Sequence, residues 1–103
     1  MAALQERHDE LRHIHALIAD DLRHKQSPRA LQILRDAAAQ IALWESNHVC
    51  SPVYVMAWRR VLRAENAAES LMRIVGNQSD SADALLQNSP FSRVLREYGK
   101  PLT

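Results

Sequence analysis

Apolar residues recur every three or four positions along most of the chain, which is the spacing of one buried face of an α-helix. The clearest stripe lies near the N-terminus and consists of Leu4, Leu11, Ile14, Ile18 and Leu22. It predicts a first helix over about 3–25. No segment alternates apolar and polar residues for long enough to predict a strand.

The dipeptide Ser-Pro divides the rest of the chain. It occurs at Ser27-Pro28, Ser51-Pro52 and Ser89-Pro90. A serine hydroxyl caps a free amide of the first helical turn, and proline suits the next position because its missing N–H is not needed there. Each Ser-Pro therefore predicts a helix start. Gly76 and Gly99 are suited to left-handed positions just after a helix.

Between these marks the spacing predicts a second helix over 28–46 and a third that starts at Pro52. A further helical stretch ends at Val75, and two short helices follow over 81–87 and 90–98. The end of the helix that starts at Pro52 is open, because the chain could continue unbroken or bend near Asn66. The predicted core side chains of the second and third helices are Leu31, Leu34, Ala38, Ile41, Trp44, Val55, Trp58 and Leu62. Trp44 and Trp58 are expected to be buried, and they could approach each other.

Length and composition fit this pattern. The 103 residues are 47% hydrophobic and 24% charged, which is typical of one globular domain and excludes wholesale disorder. We predict a single all-α domain over 1–103, a compact bundle of five or six helices with short loops. The net charge is only +1, so bulk charge does not attract the chain to nucleic acid or to a membrane.

The single cysteine, Cys50, excludes an internal disulfide and suggests a reducing compartment. The first residues show no secretory signal, and no apolar run is long enough to span a bilayer. These features predict a cytoplasmic protein of bacterial type.

Catalytic and metal-binding patterns are weak. His8, His13, His15 and His24 fall in the first predicted helix, but no two are three or four residues apart, as a helical metal pair requires. No acid is spaced to orient His48 beside Cys50, and the sequence contains no phosphate-binding glycine loop. We therefore expect no metal, no cofactor, no small-molecule substrate and no enzymatic activity.

The strongest local charge cluster consists of Arg59, Arg60 and Arg63, which fall on neighbouring faces of the third helix. Arg73 could extend it. Such a patch could contact phosphates or an acidic protein partner, although a charged helix face is often only solvated.

An ordered set of motifs carries a family resemblance. Its pieces are His15-Ala16-Leu17-Ile18-Ala19-Asp20-Asp21-Leu22, then Trp44, then Ser51-Pro52-Val53-Tyr54 with Trp58 and Leu62, and last Leu86-Gln87-Asn88-Ser89-Pro90-Phe91. This set resembles a group of small bacterial helical proteins that look like toxin–antitoxin or defence-operon partners. The chain departs from the group at Leu86, where the others have an arginine before the glutamine. The resemblance implies an all-helical protein-binding role and supplies no catalytic residues.

The leading hypothesis is a non-enzymatic interaction module, antitoxin-like, that binds a cognate protein or a second copy of itself as a homodimer. The arginine cluster and the first helix are the candidate contact surfaces, with Leu11 and Ile18 as contact residues. The alternative for the first helix, weighted equally, is that it completes the chain's own core. The alternative function is a small DNA-binding regulator with an arginine-bearing helix in a groove, which the net charge disfavours.

Overall fold

A computed structural model describes the backbone of residues 2–98 and the side chains of residues 7–97. It contains six helices in chain order: α1 (Ala2–Leu22), α2 (Pro28–Asn47), α3 (Pro52–Arg63), α4 (Ala67–Gly76), α5 (Asp80–Gln87) and α6 (Ser92–Tyr98). The described backbone has no strand. The predicted all-α bundle is confirmed.

Local capping explains most helix boundaries. The Ser27 hydroxyl accepts a hydrogen bond of 3.1 Å from the Ala30 amide, and Pro28 occupies the first turn of α2. The chain bends after α3, and the Asn66 side chain caps α4 by accepting a bond from the Glu69 amide. Of the two alternatives for the end of α3, the bend near Asn66 is therefore the one observed.

Three predicted boundary features differ from the structure: the end of α1, which is Leu22 rather than about Lys25, the role of Gly76 and the start of the last helix. Gly76 is the last residue of α4 and does not have a positive φ. The left-handed residue is instead His48 (φ 55°), which ends α2 and donates its amide to the Trp44 carbonyl. The last helix begins at Ser92 rather than Pro90. Gly99 lies outside the described residues.

The first helix lies at the centre of the fold, since α1 packs against α2, α4, α5 and α6. Ile14, Ile18 and Leu22 are buried, and Leu11 is half-buried against the core. Ile18 has 0% exposure. This burial corrects the prediction that Ile18 contacts a partner, because helix α1 uses that face to complete the core. The side chain of Leu4 lies outside the described residues.

The buried face of α2 is rotated from the predicted one. Ala30 and Ala37 are fully buried, because small side chains let neighbouring helices approach closely. Of the residues predicted to face the core, Ile41 is buried, whereas Leu31 is 49% exposed and Ala38 is exposed. The buried face also includes Ile33, which was not predicted, while Leu34 packs at its edge against the core.

No helix within residues 2–98 combines the length and apolar content needed to cross a bilayer.

Candidate functional site

Two regions concentrate the residues with chemical potential, and the first is a buried polar cluster formed by His15, Trp58, Ser89 and Phe91. Within it, His15 Nδ1 lies 2.7 Å from the Leu11 carbonyl oxygen, and Nε2 lies 2.8 Å from Ser89 Oγ. A carbonyl can only accept, so Nδ1 carries the proton and Nε2 accepts from the Ser89 hydroxyl. Ser89 Oγ in turn accepts a 3.1 Å bond from the Phe91 amide.

Trp58 completes the buried polar cluster. Its Nε1 donates to the Asn88 carbonyl at 2.8 Å, and its ring stacks on His15 with centroids 6.2 Å apart. The Phe91 ring meets Trp58 edge-on at 5.7 Å. The cluster therefore joins α1, α3 and the connection between α5 and α6.

The predicted burial of Trp58 is confirmed, since its exposure is 0%. Trp44 is only half-buried, against the prediction, because it lies at the end of α2 beside an open depression that also contains Cys50. Among the ring contacts of the described residues, Trp58 meets His15 and Phe91 rather than Trp44.

Burial sets the chemistry of this cluster. Loss of solvation lowers the pKa of His15, and the hydrogen bond to the Leu11 carbonyl opposes part of that effect. A neutral imidazole that accepts from a serine hydroxyl has the polarity of a base–nucleophile pair. Ser89 is only 6% exposed and His15 is fully buried, however, so a substrate has no access to either group. The arrangement can hold the α5–α6 connection in place.

The second region is the α2–α3 groove, a concavity of about 370 Å³ between those two helices. Its lining residues are Leu34, Ala38, Ile41, Arg59, Leu62 and Arg63. The floor is therefore apolar, and the two arginines stand on the α3 side.

Helix α2 has a second apolar face beside its buried one, and Leu34 and Ala38 of that face line the groove. Leu31, Leu34 and Ala38 have the spacing of one helix face, and at 3.6 residues per turn they lie roughly 90° around α2 from the buried alanines. Leu31 and Ala38 are exposed, while Leu34 is half-buried. The core thus uses one side of α2 and leaves a flanking apolar side open.

The structure brings the predicted arginine cluster together. Arg59, Arg60 and Arg63 line an adjoining depression of about 450 Å³ with Met56, and it meets the groove at Arg59 and Arg63. Arg59 forms an ion pair with Glu45. Within residues 7–97, Arg60 and Arg63 form no salt bridge.

Arg73 does not join the arginine cluster. It lies on α4, where it forms an ion pair of 2.8 Å with Glu69 four residues earlier, and it lines neither depression.

Sequence reasoning missed the groove, the His15–Ser89 bond of the buried polar cluster and one further polar contact. The groove was signalled by the unusual width of the apolar surface on α2, which includes Leu31 and Leu34 as well as the buried alanines. The further contact joins α1 to α5, where Asp83 pairs with Arg12 and lies 3.5 Å from His8. Among the described residues, no group of three or more His, Cys, Asp or Glu side chains is arranged to hold a metal ion.

Comparisons with protein-family models, with curated proteins and with solved structures found no match for this chain. The resemblance to antitoxin-like proteins therefore stays a hypothesis.

Proposed function

We propose that this chain is a non-enzymatic protein-interaction module that binds and restrains a cognate protein, as an antitoxin does. The observation that carries the proposal is the open apolar side of α2 next to Arg59, Arg60 and Arg63 on α3. Contiguous apolar surface on a small domain often marks a binding site, and Arg60 and Arg63 add cationic groups that form no salt bridge within residues 7–97. The resemblance in the motif set supports the antitoxin-like role.

The buried polar cluster supports a structural rather than catalytic use of its residues. Ser89 and His15 satisfy each other's hydrogen bonds inside the core, and the imidazole is oriented by the Leu11 carbonyl rather than by an acid. In this proposal the cluster holds α3, one of the two helices that form the groove, against α1. The single thiol of Cys50 fits a cytoplasmic setting, which is part of the proposal.

A DNA-binding role is the second candidate, because three arginines line one depression and could contact phosphates. Two observations favour a protein partner instead. The groove that meets these arginines has a floor of leucine and alanine side chains, which a phosphate backbone does not cover. The net charge of the whole chain is only +1.

Co-expression tests the proposal. The tagged full-length chain is produced with the product of the adjacent gene, and we expect the two to co-purify and the tagged chain to relieve any growth defect that the second protein causes. Ala38→Glu places a charge on the groove floor and should abolish both effects. Ala39→Glu is the matched control, because Ala39 is exposed on α2 but lies outside the groove.

Two outcomes would contradict the proposal. One is a chain that retains no adjacent-gene product and relieves no growth defect. The other is a chain that shifts a labelled DNA duplex with a steep dependence on salt, which would favour the DNA-binding alternative.

A further inference from the structure

We propose that the α2–α3 groove receives an acidic amphipathic helix of the partner protein. This inference rests on the proposed function and adds the chemistry of the bound segment. The contact would join the apolar side of the incoming helix to the groove floor and its carboxylates to the arginines of α3.

The shape of the groove fits a helix. Its walls are two packed helices, and its floor repeats apolar side chains along α2 from Leu34 to Ile41, a distance of about 10 Å at 1.5 Å per residue. Leu62 faces this row from α3. An incoming helix with apolar residues on one face can interleave with such a floor, which is the usual mode of helix-in-groove recognition.

The charges select an acidic segment. Three arginines lie beside the groove, and one of them, Arg59, forms an ion pair with Glu45. Arg60 and Arg63 have no salt bridge within residues 7–97, and both are exposed in the last turn of α3. Carboxylates one turn apart on the incoming helix would pair with these two guanidinium groups.

Among residues 2–98, a second copy of this chain offers no acidic helix with a free apolar face, since the short acidic helix α5 already buries Ala82 and Leu86. The long acidic helix is α1, and its apolar face, including Ile14 and Ile18, is already buried in the core. Presenting that face to another copy would require the bundle to unfold. The partner segment therefore belongs to a different protein.

The probe is a designed, fluorescently labelled peptide. Fluorescence anisotropy measures its binding to the full chain. The acidic peptide carries leucines at helical spacing with glutamates on both flanks, and it exceeds the roughly 15 residues that an isolated helix needs. A second peptide replaces the glutamates by lysines, and a third scrambles the leucines. We expect the acidic peptide to bind at least about tenfold more tightly than the other two.

Substitutions in the protein locate the site. Ala38→Glu and Arg63→Glu should each weaken binding of the acidic peptide by about tenfold or more. The matched controls Ala39→Glu and Arg96→Glu make the same changes outside the groove and should leave binding unchanged. Arg63→Glu should also narrow the difference between the acidic and lysine peptides.

Equal binding of the acidic and lysine peptides would overturn the inference, and so would acidic-peptide binding that is unchanged by Ala38→Glu. Displacement of the peptide by a DNA duplex would overturn it as well. A dimer in light scattering that Ala38→Glu converts to monomer would assign the groove to a second copy of the chain instead. The two proposals fail separately. If the adjacent-gene product co-purifies but the acidic peptide does not compete with it, the inference fails and the proposed function stands. If the peptide binds as expected but no adjacent-gene product is retained, the groove chemistry stands and the proposed function fails.

Discussion

The buried polar cluster and the α2–α3 groove both combine polar with apolar side chains, but they differ in where the polar groups find their partners. In the cluster, His15 bonds through both ring nitrogens, and the Trp58 indole N–H donates to a carbonyl. Beside the groove, Arg60 and Arg63 form no salt bridge within residues 7–97 and lie next to apolar surface that the core does not cover.

This difference distinguishes folding from binding. A buried polar group destabilises the fold unless it is hydrogen-bonded, so the complete bonding of the cluster marks it as part of the core. An exposed guanidinium has no such cost because it stays hydrated, so it can bind a partner without destabilising the fold. Substitutions in the first region should therefore change stability, and substitutions in the second should change binding.

The largest effect is expected at Trp58. Trp58→Ala removes a fully buried indole and leaves the Asn88 carbonyl without its donor, so the free energy of unfolding should fall by about 3–5 kcal/mol. Urea denaturation measures the change. Trp44→Ala is the control and should be clearly milder, because Trp44 is half-buried. A loss under about 1 kcal/mol at Trp58 would contradict its place in the core.

The three Ser-Pro dipeptides provide a graded series. Ser89→Ala should reduce stability by about 1–3 kcal/mol, because it leaves His15 Nε2 and the buried Phe91 amide without partners. Ser27→Ala removes one helix cap and should cost about 1 kcal/mol. Ser51→Ala should change stability by no more than about 0.5 kcal/mol, since its hydroxyl makes no capping bond.

Denaturant midpoints of the three variants test this order. Equal effects at Ser89 and Ser51 would show that the Ser89–His15 bond contributes nothing to stability. The buried polar cluster would then be held by ring packing alone.

The same series shows how much of the fold the sequence could predict. The starts of α2 and α3 follow from residues next to each other in the chain, and both were predicted at the observed positions. At Ser89 the local rule fails, because the hydroxyl bonds to His15, which is 74 residues away in sequence. A contact at that separation depends on the packing of α1 against the end of α5 and cannot be obtained from local spacing.

The candidate site was predictable to the same partial extent. The arginine cluster is a local pattern on α3, and the structure keeps its three members together. Of the apolar floor, Ile41, Leu34 and Leu62 lie in or against the core as predicted. The exposure of Ala38 depends on how α2 is rotated against its neighbours, which local spacing does not give. The binding role of Ile18 failed for a related reason, since a stripe does not reveal how many helices will cover it.

A smaller effect is expected from pH. The pKa of His15 in the folded chain lies below its ordinary value of 6.5, so the unfolded chain binds a proton first. The contribution of His15 to the free energy of unfolding is fully present above about pH 6.5. It is lost as the pH falls toward the pKa of His15 in the folded chain. The free energy of unfolding should therefore decline below pH 6.5, by at most about 1.4 kcal/mol per pH unit.

Urea denaturation between about pH 5 and 6.5 measures this slope above the range in which most carboxylates titrate. His15→Gln should flatten it, whatever its effect on stability at neutral pH. His24→Gln removes an exposed histidine and should retain the wild-type slope. Identical slopes for the wild-type chain and His15→Gln would assign the pH dependence to other groups.

The smallest effect on stability is expected in the α2–α3 groove, and that small size is what completes the contrast between the two regions. Ala38 and Arg63 are exposed, so Ala38→Glu and Arg63→Glu should each change the free energy of unfolding by no more than about 0.5 kcal/mol. The added carboxylate at position 38 lies in the groove lined by Arg59 and Arg63, which limits any destabilisation. Circular dichroism and urea denaturation of both variants, beside Ala39→Glu, provide the measurement. A loss above about 2 kcal/mol in either groove variant would show that this surface supports the fold, and loss of partner binding in that variant would then report unfolding instead of a binding site.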